Sequence, residues 1–460
     1  MATQIKDFTK GNISKQLVIF AWPLFLSNLL QVVYNMVDMV VVGQVLGKAG
    51  LSAVAVGGDI THFLTFIAMG FSSAGQVIIA RYIGSKQNDK IAKFVGTMCS
   101  FLMVCAIILS VVGLIFQNTI LAWMNTPEEA FAGAVGYSTI SMAGLVFVYG
   151  YNMVSAILRG MGDSKHPFIF VSMAAVMNLI LDIVLVAYMD MGAAGAALAT
   201  IFSQAVSFIA CAVFLVKNRK SFSLEAKLSD FTHWNGEMLS DLVKLGVPMA
   251  IKSASIQVSK LFVNSWINSY GVAVSAFAGI ANKLASVANL VSNAMNTAGS
   301  TMVGQNIAAG EFDRVKKVLK SLGVITISIG TIISVFVCLF PQQVFGIFTS
   351  DEAVLAIVDG YLPIAVLLFY GAALRAIMNA LINGSGDHKM NFATAILDGI
   401  VMRIGLAYIE ECNKTLSQTL QFIGILGIGI FKLLERTRRI DIVTGVHTHF
   451  VGITRCRIGH

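Results

Sequence analysis

A chain of 460 residues with 56% hydrophobic and only 12% charged side chains is too apolar to stay dispersed in water, because soluble domains carry about a quarter charged residues. Mean hydropathy is +0.78. The net charge of +8 would direct a soluble protein toward nucleic acid, but no basic stripe with interleaved aromatics occurs, so no nucleic-acid partner is expected.

Apolar runs near the ~20 residues that cross a hydrocarbon core recur along the chain. They predict helices near 16–42, 53–80, 94–116, 132–157, 168–189, 193–216, 241–268, 274–307, 318–340, 355–381 and 392–409, with a weaker twelfth near 416–434. The first span follows Lys6, Lys10 and Lys15 and lacks a small-residue cleavage site, so it reads as retained. Late in that span lies Asp38, with Tyr34 one turn earlier on the same face. Asp59 and His62 open the second span. The fifth span carries Asp182 mid-length, with Asn178 one turn before it, and the small-residue run 192–197 opens a sixth helix suited to close packing. Residues 217–240 form a polar connector, part of it readable as a short amphipathic helix. Beyond it, Lys252 and Lys260 share a face of the seventh span, while Lys283 and Arg375 lie in the eighth and tenth. Asn152, Lys252 and Lys260 are the candidates to line a substrate cavity.

The chain repeats itself. Leu158-Arg159-Gly160-Met161-Gly162-Asp163-Ser164-Lys165 returns about 224 residues later as Ile382-Asn383-Gly384-Ser385-Gly386-Asp387-His388-Lys389. Asp89-Lys90 returns as Asp313-Arg314, and Pro23 is matched by Pro248. The expected organisation is a first lobe at 1–216, a cytoplasmic linker at 217–240, a second lobe at 241–434 and a disordered cytoplasmic tail at 435–460. Two like halves meet at a rocking interface with a cavity at the midplane, the plan of many secondary transporters. Lys and Arg occupy alternate loops, which puts the N-terminus in the cytoplasm and makes the halves parallel. Lys48 alone lies on the wrong side. Repeat similarity fades after about Ala407. The final fifty or so residues read as divergent or as an altered reading frame, and His447 and His449 there read as part of a flexible tail rather than a metal pair.

An acid deep in a membrane helix costs roughly 2.5–3.5 kcal/mol on insertion scales and asks for a functional reason. Asp38 and Asp182, each with a hydrogen-bonding neighbour one turn back, suit the binding and release of a proton or of a hard cation such as sodium. The bland alternative places Asp38 at the outer interface and pairs Asp182 with a nearby polar group. No phosphate-binding loop, no metal-ligand spacing and no nucleophile–base constellation occurs, so neither an enzyme nor a cofactor is expected. The six cysteines show no redox spacing.

Over roughly residues 10–407 the chain resembles the multidrug and toxic compound extrusion (MATE) family of antiporters. The resemblance rests on Ala21-Trp22-Pro23, Val37-Asp38-Met39-Val40-Val41-Val42-Gly43, Arg159-Gly160-Met161-Gly162-Asp163 and Gly304-Gln305-Asn306. It implies an all-α integral membrane protein of about twelve transmembrane helices in two pseudo-symmetric six-helix lobes. It also implies alternating access and export of organic cations and amphipathic drugs against protons or sodium. The family's cation site maps onto Asp38, Asn178, Asp182 and Thr200, with Tyr34 as the accompanying tyrosine, and the same four residues would take sodium. Acids that some members carry in the seventh and tenth helices are absent, which favours coupling in the first lobe alone. Pro23 resembles a proline at which the first helix bends in some members. The resemblance leaves two alternatives, a flippase for lipid-linked precursors and a non-transporting membrane scaffold. A monomer in the inner membrane of a bacterium is the expected setting.

Overall fold

The computed structural model describes residues 5–222, 224, 234–269, 272–349, 351–398 and 401. The weak twelfth span and the whole tail lie outside the described residues, as do residues 223 and 225–233 of the connector. Among the described residues every regular element is helical. Seven of the described helices are long and apolar enough to cross a membrane, or eight when one bent pair counts as a single span.

Helix α1 runs from Ile13 to Gly84, 72 residues. At 1.5 Å per residue a straight helix of that length would reach roughly 110 Å, more than three hydrocarbon thicknesses. It is instead two spans joined at Gly47, whose φ of 64° and ψ of −158° lie outside helical space. Pro23 lies inside α1 without any break in its dihedrals. Asn12 starts the helix, its side-chain oxygen accepting from Lys15 N at 3.0 Å.

Helix α2 spans Asn88–Trp123. The expected fourth span is broken: α3 (Glu128–Ala143) and α4 (Leu145–Gly160) meet at 48° across Gly144. Ile201 of the sixth helix packs against that glycine so closely that a Cβ there would sit 2.2 Å from its methyl. Helix α5 (Lys165–Asp182) continues as a π-helical stretch over Ile183–Tyr188, and α6 follows at Gly192–Lys217. The second half holds α7 (Gly236–Ser269), α8 (Val272–Ala308), α9 (Phe312–Leu339), the short α10 (Pro341–Gly346) and α11 (Glu352–Leu355), α12 (Val358–Gly384) and α13 (His388–Ile396).

The repeated Gly-Asp motif does the same work twice. Gly162 and Gly386 take φ of 86° and 66°, a left-handed turn that side chains resist. The following aspartate then caps a helix: Asp163 Oδ1 accepts from Lys165 N at 3.0 Å, and Asp387 Oδ1 from Met390 N at 3.0 Å.

The hydrophobic cores do not respect the midpoint of the chain. Leu17, Phe20, Ala21 and Leu24 of α1 pack into the second half, among Met302, Val318, Leu322 and Ala380. Reciprocally, Met238, Leu242, Leu245 and Met249 of α7 pack into the first-half core with Phe71, Phe94, Met98 and Tyr149. Each half therefore begins inside the other. Large apolar residues such as Ile115, Val176, Phe202 and Ile332 remain exposed along the spans, as a surface solvated by lipid tails requires.

Hydrogen bonds between the halves gather toward one end. Gln76 Nε2 donates to Thr301 Oγ1 at 2.7 Å and to Thr297 O at 3.3 Å. The segment before α1 crosses from one half to the other: Lys6 N donates to Met161 O at 3.0 Å, and Phe8 N to Gln305 Oε1 at 2.8 Å. Gln305 Nε2, Asn306 Nδ2 and Arg314 Nε donate back to Lys6 O, Phe8 O and Phe8 O at 3.1, 3.2 and 2.9 Å. Gly84 abuts the backbone of α8 so tightly that a Cβ would lie 2.0 Å from Gln305 O.

Candidate functional site

The fifth helix supplies the centre of the site because its period puts Asn178 and Asp182 on one face, at the point where α-helix passes into π-helix. Such one-turn widenings often accompany functional positions. Both residues are buried, with Asp182 only 1% exposed. Helix α6 approaches closely because its opening residues are small, Ala193, Gly195, Ala196 and Ala197 all being buried. That approach brings Thr200 alongside, and Asn178 Nδ2 donates to Thr200 Oγ1 at 3.4 Å.

Asp38 arrives from the later part of the first span. Its carboxyl group lies within hydrogen-bonding reach of the Asp182 carboxyl. Three oxygens of the pair, Asp38 Oδ1 and both of Asp182, are buried and receive no hydrogen bond from any described residue. Tyr34, one turn before Asp38, is close enough to feel its charge. Tyr137 of α3 was not anticipated, yet it lies where Asp38, Tyr34 and Asp182 all act on its hydroxyl. The signal available for it was the run of hydroxyls Tyr137, Ser138, Thr139 and Ser141 within one apolar span.

Two carboxylates in contact repel unless a positive charge lies between them. A proton satisfies that demand, and so does a hard cation that completes its shell with neutral oxygens such as those of Asn178 and Thr200. Among the described residues no group of three or more His, Cys, Asp and Glu could hold a metal ion, so the donor set is one of carboxylate, amide and hydroxyl oxygens.

The residues expected to line a cavity behave differently. Asn152 Nδ2 donates to Val148 O at 2.9 Å on its own helix. Lys252 Nζ donates to Asn379 Oδ1 at 2.5 Å, which turns it toward α12 within the second half. Lys260 lies on α7 with its side chain outside what is described. Arg375 Nη2 donates to Asn289 Oδ1 at 2.5 Å, and Asp59, His62 and Lys283 are exposed. A second polar centre that the sequence did not single out surrounds Gln76, 3% exposed, whose Oε1 accepts from Arg159 Nε at 3.1 Å.

A family model described as MatE matches residues 23–184 and again residues 248–409. The probable multidrug resistance protein YoeA of Bacillus subtilis (strain 168) is 30% identical over 390 residues, 84% of each chain. The multidrug export protein MepA of Staphylococcus aureus (strain N315) is 24% identical over 403 residues, 87% of this chain and 88% of its own. In fold, the chain superposes on the outward-facing conformation of a multidrug resistance MATE family transporter of the MOP superfamily with TM-score 0.87. That match covers 97% of this chain and 100% of the other at 22% identity.

Proposed function

The chain belongs to the MatE family of multidrug efflux transporters, whose members are membrane transporters and not enzymes, and from that premise we propose that it exports organic, mostly cationic amphipathic compounds by antiport with protons or sodium. The observation that carries the coupling half of this reading is the contact between Asp38 and Asp182 with three buried oxygens left without a donor. An empty pair of facing carboxylates is unfavourable, so the site is stable only while it holds a cation. Loading it from one side of the membrane and discharging it to the other is the step that a gradient can drive.

The substrate half is supported by the names of the relatives, a multidrug resistance protein and a multidrug export protein. Alternating access is supported by the cross-half bonds that collect at the end where the N-terminal segment lies. The basic loops at 84–88, 160–165 and 308–314 meet at that same end, which fits a cytoplasmic N-terminus in the inner membrane. No partner subunit is required by this reading, and the protein works as a monomer in the bilayer.

Ethidium efflux from proteoliposomes, driven in turn by a proton gradient and a sodium gradient, tests the proposal. Wild type should follow one gradient, and Asp38→Asn should reduce gradient-driven efflux by about tenfold or more. Undiminished, gradient-dependent efflux in the Asp38→Asn protein would overturn the assignment of the coupling site. Absence of ethidium efflux under both gradients from folded, inserted wild type would count against the class of substrate.

A further inference from the structure

We propose that the hollow between the start of α1 and the start of α9 is a specific site for the phosphate headgroup of an anionic phospholipid. The cavity, about 420 Å³, is lined by Asn12, Ser14, Arg314, Lys317, Lys320 and Ser321 among others, with three cations and no acid in the wall. It lies on the seam between the halves, where Ser14 Oγ donates to Ser321 Oγ at 3.2 Å.

Neither Asp7, Glu311 nor Asp313 is in the wall, and two of these three acids are engaged elsewhere. Asp313 pairs with Lys316 at 3.7 Å. Asp7, close enough to act on Arg314, accepts from Thr9 N at 2.8 Å and from Thr9 Oγ1 at 2.5 Å. Arg314 itself is held rigidly by neutral acceptors, Phe8 O at 2.9 Å, Lys10 O at 2.8 Å and Gln16 Oε1 at 3.2 Å. Its charge is therefore fixed in place while Lys317 and Lys320 remain exposed beside it. The first turn of α1 opens at the same hollow. Asn12 satisfies the amide of Lys15, while the amides of Ile13 and Ser14 have no acceptor within the helix. Fixed guanidinium, two ammonium groups, hydroxyls and helix-start amides are together the donor set that a phosphate monoester or diester takes up.

The surface beneath the hollow selects a lipid over a soluble phosphate. Along α9, Lys317 and Lys320 are followed at helical spacing by exposed Val324, Ile327 and Val335. Along α1, Ser14 is followed by exposed Val18, Ile19 and Trp22. A headgroup in the hollow thus has two apolar helix faces below it for its acyl chains. The related surface of the first half lacks one of the three cations: Lys90 and Lys93 stand where Arg314 and Lys317 do, but Gly96 stands where Lys320 does. The same lipid would bind α1 to α9 and so strengthen the seam in the closed arrangement of this end.

Native mass spectrometry of the full chain, titrated with phosphatidylglycerol, phosphatidylcholine or inorganic phosphate, tests the site. One phosphatidylglycerol should bind tightly, and the Lys317→Ala/Lys320→Ala pair should weaken it ~10- to 30-fold. Lys317→Arg/Lys320→Arg should preserve binding, and Lys90→Ala/Lys93→Ala should leave it unchanged. The Lys317→Gln/Lys320→Gln pair carries the comparison if the alanine pair does not fold. Equal retention of phosphatidylcholine, an affinity unaltered in the alanine or glutamine pair, or displacement of lipid by inorganic phosphate at matched concentration would each overturn the proposal.

Discussion

At Asp38 and Asp182 the chain carries two acids into the membrane, each at roughly 2.5–3.5 kcal/mol, and then sets them against each other without a donor for three of their oxygens. Under the proposed coupling a bound cation relieves that arrangement, and the neutral oxygens beside the pair set how tightly it is held. The oxygens proposed for that role belong to Asn178 and Thr200, joined at 3.4 Å. Asn178→Ala should raise the ion concentration for half-maximal efflux by about tenfold, the equivalent of one lost charge-assisted contact. Efflux measured against increasing driving ion checks this, with the ethidium KM at saturating ion expected to stay unchanged. Gln76 works at a second buried point, between Arg159 and Thr301. Gln76→Leu removes a donor and an acceptor at once and should destabilise the protein by about 1–3 kcal/mol, visible as a lower Tm in detergent. The two acids stood out in the sequence because charge in an apolar run is a rare signal, and Asn178 because it lies one turn before Asp182. Gln76 and Tyr137 were not, since a lone amide or tyrosine in a span gives no hint of which distant helix it will meet.

Helix α1 links two levels of this molecule. Its start is embedded in the second-half core through Leu17, Phe20 and Leu24, and the later part of the same span holds Asp38 against Asp182. A change at the carboxylate pair therefore acts on a rod whose other end is anchored across the interface. Beyond the kink, the far end of α1 meets α8 at Gly84, where a Cβ would fall 2.0 Å from Gln305 O. Gly84→Val should wedge the two helices apart, and a spin-label distance between positions 85 and 309 should lengthen relative to wild type. Most of the helices were readable from hydropathy, and the break at Gly47 falls between the first two expected spans, where Gly43, Gly47 and Gly50 disfavour helix. The break at Gly144 was not readable, because Ile201 reaches in from another helix to pack against it.

For the molecule as a whole, the segment before α1 is the strap that fastens the two halves at one end. Phe8 is 2% exposed, stacks near Phe20 with ring centroids 5.2 Å apart, and is bonded to Gln305, Asn306 and Arg314. Deleting residues 1–10 should lower the Tm, since burial of one such ring contributes about 3–5 kcal/mol, and should broaden the same 85-to-309 distance distribution. The strap was invisible beforehand because a short polar stretch ahead of an apolar run reads as a solvated terminus. The repeat, in contrast, was plain from the Gly-Asp motifs, and both copies fold into the same turn and cap.

At the 224-residue offset that relates Asp89-Lys90 to Asp313-Arg314, Gln76 corresponds to Ser300, one residue before the Thr301 that it touches. Neighbouring turns of the two copies meeting in this way come close to an isologous contact, the kind that closes a symmetric pair of identical subunits. In such a pair both sides must carry the same residue, so amide would face amide or hydroxyl would face hydroxyl. Fusion into one polypeptide lifts that restriction. Donor and acceptor can differ across the axis, and Asp38 can face Asp182 in the first half while no acid follows Asp241 along α7.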